Sequence, residues 1–370
     1  MYEPIRTTHY AVRPQPAATL SDEVNHANNL FSQGNHVSNQ AIYPLAFIPQ
    51  LRDYIWGGRN LETLYGRTLP PGVTAESWEI SGHPSAPAMV ENGPLAGQSL
   101  PRVLRRYGQA LVGSNAQWAL ARNRFPLLVK LLDANQNLSV QVHPDDAYAL
   151  AHEKGELGKT EMWYVLHARP GAQIIFGLKA GVTPEAFRQA IGDGSLETWL
   201  HYLPIRAGDA IFVAAGSIHA LLAGAVVVEI QQNSDTTYRV YDWGRVGADG
   251  RPRQLHVQKA LEVINFEQIE PGPYPPGVVF DRNGITRAEI SRCDYFVVER
   301  VSFEAGCSYQ GHTNGHSLEI WGAVEGSGIL LWQGEQLELP AIRFVLVPAT
   351  QGDFRITAPE ACVMLRAYLP

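Results

Sequence analysis

Cysteine is scarce in this 370-residue chain: the three that occur, Cys293, Cys307 and Cys362, all lie in its last third. An odd number of cysteines without a CxxC pair indicates neither a disulfide framework nor a thiolate metal site. Buried, reduced thiols are the simpler interpretation, and they favour a cytoplasmic location.

Long apolar runs and clustered positive charge are also missing. No stretch of about 18 apolar residues occurs, so no transmembrane helix is predicted, and the N-terminus lacks the apolar core of a secretory signal. Because its net charge is −7, the chain is not expected to bind nucleic acid or an anionic membrane. The expected partner is a small molecule, because a local basic patch can still bind one phosphate group. The expected oligomeric state is a monomer or a weak homo-oligomer.

Turn-forming residues are abundant, since 34 glycines and 25 prolines favour many turns and a β-rich body. The length suggests two domains. Residues 1–42 are polar and lack apolar periodicity, which predicts a flexible extension. The segment 271–276, Pro-Gly-Pro-Tyr-Pro-Pro, is excluded from helices and central strands and predicts a linker. We therefore expect a first β domain over 43–270 and a smaller one over 277–370, which packs against the first and shields an apolar sheet face.

Two helical stretches are predicted to interrupt the first β domain. Apolar residues recur at helical spacing over 99–122. Thr183 is a plausible N-cap in front of Pro184, which starts a second helical stretch that extends, with a further turn or two, to residue 203. From residue 126 onward the remaining pattern is one of short apolar runs between turn signals, which is typical of a β-sandwich or barrel.

Four residues form a candidate metal site. Gln141 and His143 flank Val142 in a strand, so the period of two places both side chains on one face. Glu161 opens the next strand. His219 follows a glycine, a short strand and a glycine-terminated turn, which is the second half of a cupin signature with alanine where proline is common. Two imidazoles, a carboxylate and an amide oxygen suit zinc, although iron, manganese or cobalt also bind such a set.

A second group of possible ligands competes with this one. His312 and His316 precede Glu319, but their spacing is wrong for adjacent ligands on one strand face. The remaining histidines lack matching partners and are interpreted as structural or surface groups. One metal ion per chain is therefore predicted.

The segment 231–245 is unusually polar for a chain that leaves a buried strand. Arg239 and Arg245 are suited to binding a dianionic phosphate or polarising an oxyanion. The alternative is a surface loop in which these arginines pair with Asp235 and Asp242. Composition alone does not decide between these two interpretations.

Five further motifs follow one another along the chain: Tyr54-Ile55-Trp56-Gly57-Gly58, Glu76-Ser77-Trp78-Glu79-Ile80-Ser81, Leu138-Ser139-Val140-Gln141-Val142-His143-Pro144, Gly158-Lys159-Thr160-Glu161-Met162-Trp163-Tyr164 and Ser234 to Arg239. In this order they resemble the motifs of the type I mannose-6-phosphate isomerases of the cupin superfamily, especially their shorter bacterial form. The resemblance covers about residues 43–266, while the last hundred residues match only in outline.

This resemblance implies a mainly β fold of two cupin-type jelly-roll domains with a small helical elaboration. It implies a zinc-dependent aldose–ketose isomerase that interconverts mannose 6-phosphate and fructose 6-phosphate. The family's metal ligands fall on the four residues proposed above, and Arg245 stands where longer members carry a lysine near the phosphate. Leu221 stands where longer members of the family have a tyrosine, so the sugar contacts on that side are expected to differ. Family site residues match Trp56, Ser139, Lys159, Glu229, Asp235 and Arg239.

The implied chemistry moves a proton between C1 and C2 through an enediol, which requires a base and an electrophile. Lys159 lies one same-face step from Glu161 and ranks first as the base, followed by Asp235 and Glu229. Ser139 lies on the same strand face as Gln141, and it is expected to bind the phosphate together with Arg245.

Two other functions fit parts of the pattern. A dioxygenase-like cupin enzyme would need an open iron site and would not need the polar segment 235–245. A non-catalytic sugar-phosphate-binding cupin would not need the proton-transfer candidates Lys159 and Asp235.

Overall fold

The computed structural model describes residues 41–246 and 250–370. The extension predicted at 1–42 lies almost entirely outside the described residues. Residues 42–370 form one compact unit. Within the described residues, no helix is long and apolar enough to cross a membrane.

Strands before the proline-rich segment are short, apart from a few buried ones. They are β1 (Leu45–Ile48), β2 (Gln50–Arg52), β3 (Glu76–Ser81), β4 (Met89–Val90), β5 (Leu127–Ala134), β6 (Val140–Val142), β7 (Glu161–Ala168), β8 (Gln173–Leu178), β9 (Leu200–Pro204), β10 (Ala210–Val213), β11 (His219–Leu221), β12 (Ala225–Gln232) and β13 (Tyr238–Tyr241).

Strands after it fill nearly all of the remaining chain. They are β14 (Gly277–Arg282), β15 (Ile285–Arg292), β16 (Val297–Phe303), β17 (Ser308–Thr313), β18 (Glu319–Glu325), β19 (Gly328–Trp332), β20 (Glu335–Leu339), β21 (Phe344–Val347), β22 (Gly352–Thr357) and β23 (Cys362–Tyr368).

Helices are short and lie before the proline-rich segment. The α-helices are α1 (Asn60–Thr63), α2 (Leu100–Tyr107), α3 (Gln109–Val112), α4 (Gln117–Leu120), α5 (Asp146–His152), α6 (Pro184–Asp193) and α7 (Val257–Val263). Single 3₁₀ turns cover Gly93–Leu95, Ser114–Ala116 and Leu196–Trp199.

The first β body consists of two antiparallel sheets that face each other. One has the strand order β10-β7-β12-β5-β3-β2 and the other β13-β6-β11-β8-β9. Trp163 and Val227 of the first sheet share a core with Phe176 and Leu221 of the second. All eight residues of β12 are buried, as expected for a strand that is covered on both faces.

The second β body pairs an eight-stranded sheet, β14-β15-β16-β23-β18-β21-β1-β4, with a four-stranded sheet, β17-β22-β19-β20. Trp321 of the larger sheet shares a core with Phe354 of the smaller one. Strands β1 and β4 precede the proline-rich segment, yet they complete this sheet, with Leu45 opposite Leu346. Backbone hydrogen bonds therefore join the predicted 43–270 and 277–370 segments, and their division into two domains stays a prediction.

One large core joins the two bodies. Val129 and Val228 of the six-stranded sheet, Leu100 of α2, and Val298 and Ile320 of the eight-stranded sheet belong to the same buried cluster. The C-terminal strands thus shield an apolar sheet face, as expected from the sequence. The predicted fold class, mainly β with cupin-type jelly rolls and a small helical elaboration, is confirmed.

The helical elaborations differ in detail from the prediction. The stretch at 99–122 is interrupted at Gly108 and Gly113, whose φ values are 49° and 94°. Thr183 caps α6 as predicted, because its hydroxyl accepts the Ala186 N–H at 3.2 Å. The helical prediction is wrong at the end of the second stretch, where residues 200–204 form β9 and pair with β8.

A buried set of charged side chains crosses the eight-stranded sheet. Arg366 lies opposite both Trp321 and Glu299 on the neighbouring strands. Its guanidinium pairs with Glu319 and lies 3.1 Å from Glu299, while Trp321 Nε1 donates to Glu319 at 2.7 Å. We call Glu319, Trp321, Arg366 and Glu299 the C-terminal polar row.

Candidate active site

Three neighbouring strands of the five-stranded sheet place polar side chains in one line. Gln141 of β6 lies opposite His219 of β11 on one side and opposite Arg239 of β13 on the other. Gln141 Nε2 and His219 Nε2 are 3.3 Å apart. The antiparallel register therefore brings together residues about 80 to 100 positions apart in sequence.

A group of possible metal ligands lies beside this line. Three residues, His143, Glu161 and His219, each offer one ligand atom, and these three atoms lie within 4.8 Å of one another. All three side chains are buried. His143 Nε2 is 3.5 Å from Glu161 Oε2, and His219 Nε2 is 3.4 Å from Glu161 Oε1. Glu161 comes from the six-stranded sheet, so both sheets of the barrel contribute to the group.

Backbone carbonyls orient both imidazoles. His143 Nδ1 donates to the carbonyl of Thr236 at 2.9 Å, and His219 Nδ1 donates to that of Ser217 at 3.0 Å. The Nε2 lone pairs therefore face the group, as they do in histidines that bind metals. Burial lowers the pKa of His219 to about 4 and that of His143 well below its usual value, so both rings are neutral and able to bind a cation.

The Glu161 carboxylate fits the same purpose. Burial, reinforced by Glu229 and opposed by Lys159, raises its pKa to about 7. Its Oε1 atom is buried and has no hydrogen-bond partner among the described residues. Because an unsatisfied buried carboxylate oxygen is costly, a divalent cation next to two neutral imidazoles would stabilise it. The residues present therefore fit a metal ion.

Lys159 sits at the centre of these groups. Its Nζ lies 3.0 Å from His143 Nε2 and 3.9 Å from Glu229 Oε1, and it forms an ion pair with Glu161. Only 4% of its side chain is exposed. A buried ammonium in contact with an imidazole and two carboxylates is placed for proton transfer as well as for charge balance.

A second line of polar groups crosses the six-stranded sheet. Lys130 lies opposite both Trp78 and Glu229. Lys130 Nζ is 3.3 Å from Glu229 Oε1, 3.8 Å from Glu76 Oε2 and 4.6 Å from the Trp78 ring centre. Trp78 Nε1 donates to Glu76 at 2.6 Å. We call Glu76, Trp78, Lys130 and Glu229 the N-terminal polar row.

Glu229 is held as a carboxylate. Burial alone would raise its pKa, but the positive charges of Lys159 and Lys130 outweigh burial and lower it to about 2. Trp163 Nε1 also donates to it at 3.0 Å. Glu229 is therefore a weak base that balances two ammonium groups.

Most of the predicted site residues line one cavity of about 260 Å³. They are Trp56, Ser139, Gln141, Lys159, Glu229, Asp235 and Arg239. The buried His143, Glu161 and His219 are not part of the lining, but they contact it through Lys159 and Gln141.

The lining of the cavity differs from the prediction at the end formed by Arg239 and Arg253, which we call its basic end. Arg245 does not line it; instead its Nη1 donates to the carbonyl of Asn137 at 2.5 Å. Arg253 and His256, which sequence reasoning missed, do line it. Lys130 and Glu76 were missed as well, although a lysine inside the largely apolar strand β5 is a recognisable signal, since lysine is almost never fully buried without a partner.

A jelly-roll barrel that brings two histidines, a glutamate and a glutamine together inside it defines a cupin protein with a candidate metal centre. Comparisons with known proteins specify the family. The model of the phosphomannose isomerase type I catalytic domain matches residues 45–170.

Curated relatives extend this match over most of the chain. The chain is 38% identical over 317 residues to a probable mannose-6-phosphate isomerase of Bacillus subtilis, covering 85% of this chain and 96% of that protein. It is 44% identical over 223 residues to a mannose-6-phosphate isomerase of Streptococcus mutans, covering 60% of this chain and 68% of that protein.

A solved structure agrees with these relatives. The crystal structure of the mannose 6-phosphate isomerase from Bacillus subtilis superimposes with a TM-score of 0.79 at 34% identity, covering 89% of this chain and all of that chain. The chain belongs to the type I mannose-6-phosphate isomerase family, and the resemblance seen in the sequence motifs is confirmed. The family is metal-dependent, which agrees with the group formed by His143, Glu161 and His219.

Proposed function

We propose that this chain is a zinc-dependent aldose–ketose isomerase that interconverts mannose 6-phosphate and fructose 6-phosphate through an enediol. The observation that carries this proposal is the juxtaposition of a buried ligand group with a polar cavity. That cavity is lined by two lysines, several carboxylates and arginines. Family membership independently supports the same reaction.

Gln141, His143, Glu161 and His219 are proposed to hold one zinc ion per chain. Two neutral imidazoles and a carboxylate are the ligand types that zinc prefers, and the glutamine amide adds an oxygen. When bound, the zinc would act as a Lewis acid for the oxygens at C1 and C2 of the sugar.

Arg239 is proposed to stabilise negative charge on the substrate. It lies on the strand next to Gln141, and its Nε donates to the Ser139 hydroxyl at 3.1 Å. That hydrogen bond leaves the Ser139 proton available to a substrate oxygen. Trp56, whose ring is 5.9 Å from that of Tyr54, is proposed to form an apolar wall of the sugar site.

Lys159 is the first candidate for the group that moves the proton between C1 and C2. It lines the cavity and contacts the proposed ligands His143 and Glu161 directly, so it would lie beside C1 and C2 of a sugar bound at the metal. Asp235 ranks second, because it lines the cavity but is exposed. Glu229 ranks third, because its low pKa makes it a poor base at neutral pH.

Removal of the metal tests the whole proposal. We expect turnover of mannose 6-phosphate, measured as fructose 6-phosphate formed, to disappear after exhaustive chelation and to return on addition of zinc. Metal analysis of each sample provides the control. Full activity in protein shown to be free of metal would contradict the proposal.

A further inference from the structure

Asp242 anchors two arginines at the basic end of the cavity. Arg253 donates two hydrogen bonds to Asp242, from Nε to Oδ2 at 2.7 Å and from Nη2 to Oδ1 at 2.5 Å. Arg245 also forms an ion pair with Oδ1. Burial would raise the pKa of Asp242, but the two arginines outweigh burial and lower it. The carboxylate is thus a fixed anchor for both guanidinium groups.

The two arginines differ in the direction they face. Arg245 is 16% exposed and turns towards the carbonyl of Asn137. Arg253 is 31% exposed, and it lines the cavity together with Arg239 and Ser139. Only one of the two arginines held by Asp242 can therefore reach a molecule in this cavity.

Positive charge exceeds negative charge at this end. Arg239, Arg245 and Arg253 surround one carboxylate, Asp242, and they interact electrostatically with one another. No carboxylate lies within ion-pair distance of Arg239 in residues 41–246 and 250–370; its Nη1 donates to the carbonyl of Gln254 at 3.1 Å. Asp235 also lines the cavity, but the groups it influences are Lys130, Glu76 and Tyr54.

His256 adds a neutral donor to the same end. Its Nδ1 accepts the backbone N–H of Arg239 at 3.3 Å, so in the neutral ring the proton is on Nε2. Burial and the charges of Arg239 and Lys259 lower its pKa, which keeps it neutral. Two guanidinium groups, a hydroxyl and an imidazole N–H suit a dianion with several acceptor oxygens.

We propose that Arg253, held by Asp242, binds the phosphate group of the substrate together with Arg239, and that Arg245 supports Asp242 from outside the cavity. This inference rests on the proposed function, because it assumes a phosphorylated sugar. Ser139 directly precedes β6 and is two residues, about 7 Å of extended chain, from Gln141. The phosphate would then lie at the end of the sugar remote from the proposed metal ligands.

The test compares Arg253→Gln with Arg245→Gln. For Arg253→Gln we expect the KM for mannose 6-phosphate and the inhibition constant of inorganic phosphate to rise about 10- to 100-fold, with kcat changed less than about threefold. Glutamine keeps a donor for Asp242, which separates loss of charge from loss of the anchor. Arg253→Lys should restore part of the affinity. For Arg245→Gln we expect both constants to change less than about threefold.

Arg206→Gln, at a side chain that is 88% exposed, is the control for loss of one surface charge. Wild-type constants in Arg253→Gln, or larger effects in Arg245→Gln, would overturn the assignment. Failure of the proposed function has a different signature: the wild-type protein would not turn over mannose 6-phosphate at all. In that case calorimetric titration with inorganic phosphate still decides whether Arg253 is a phosphate-binding residue.

Discussion

Lys159 contacts His143, Glu161 and Glu229 at once, so its substitution should affect both the chemistry and the charge balance of the site. We expect Lys159→Ala to lose exchange of the C2 proton of mannose 6-phosphate with solvent, because the proposed base is removed. The measurement is deuterium incorporation at C2 by NMR, with zinc content determined for the same sample. Exchange at the wild-type rate in a zinc-loaded variant would exclude Lys159 and favour Asp235.

Arg239 serves a different purpose, because it is not among the proposed metal ligands. We expect Arg239→Ala to reduce kcat/KM by about two to three decades, since truncating one partner of a hydrogen-bonded charge pair typically costs about 2–5 kcal/mol. Its zinc content should equal that of the wild-type protein. Loss of zinc together with activity would instead indicate that Arg239 maintains the structure of the site.

At the scale of the residue, sequence reasoning could use strand parity. Gln141 and Glu161 could be placed by the alternation of side chains along a strand. Lys130 and Arg253 could not, because their roles depend on pairing between distant strands and on an anchor at Asp242. Arg245 and Arg253 are both close to Asp242 in sequence, and only the fold distinguishes the one that faces the cavity.

At the scale of the secondary-structure element, the C-terminal polar row makes stability depend on pH. Arg287 holds Glu299 through bonds of 2.8 and 3.0 Å, and Arg366 adds a third. Burial would raise the pKa of Glu299, but these arginines lower it below 4.5. A lowered folded-state pKa stabilises the protein above the unfolded value, and this contribution is lost as pH falls through the folded value.

We therefore expect Glu299→Gln to lower the free energy of unfolding by about 3–5 kcal/mol at pH 7, because it leaves two partly buried arginines with less compensation. The difference from wild type should shrink as the pH falls below about 4.3, the usual pKa of a free glutamate, and through the lowered folded-state pKa of Glu299. Urea unfolding at pH 7 and across the acid range measures this. Glu335→Gln, at an exposed position of β20, is the control, and a pH-independent difference would contradict the assignment to Glu299.

Element boundaries were predicted less well than element types. The apolar periodicity at 99–122 identified helix but not its interruption at Gly108 and Gly113, where the chain turns to contact the C-terminal body. Ser114 N–H, for example, donates to the carbonyl of Gly315 at 3.0 Å. Residues 200–204 form a strand because the neighbouring strand β8 offers hydrogen bonds there. In both cases, partners far along the chain override the local pattern.

At the scale of the whole molecule, sheet pairing connects the ends of the described chain. Strand β1 pairs with β21, and Leu45 and Phe47 are buried in the core that both bodies share. We expect a fragment of residues 43–276 not to fold cooperatively, because it leaves β1 with only the two-residue strand β4 as a partner and exposes that core. Near-UV circular dichroism and urea unfolding, with the full chain as control, measure this. A cooperative transition in the fragment would show that the first body is an independent domain.

The two polar rows have one further consequence. In both bodies a glutamate two residues before a tryptophan accepts its indole N–H, and a cation opposite the tryptophan faces another glutamate on the next strand. The cation is Lys130 in one body and Arg366 in the other. The forked guanidinium of Arg366 donates to both glutamates of its row, whereas the ammonium of Lys130 lies 3.3 Å from Glu229 Oε1 and 3.8 Å from Glu76 Oε2. Glu76, Lys130 and Glu229 of this more loosely paired row line the cavity, so it is the row that a bound molecule would meet.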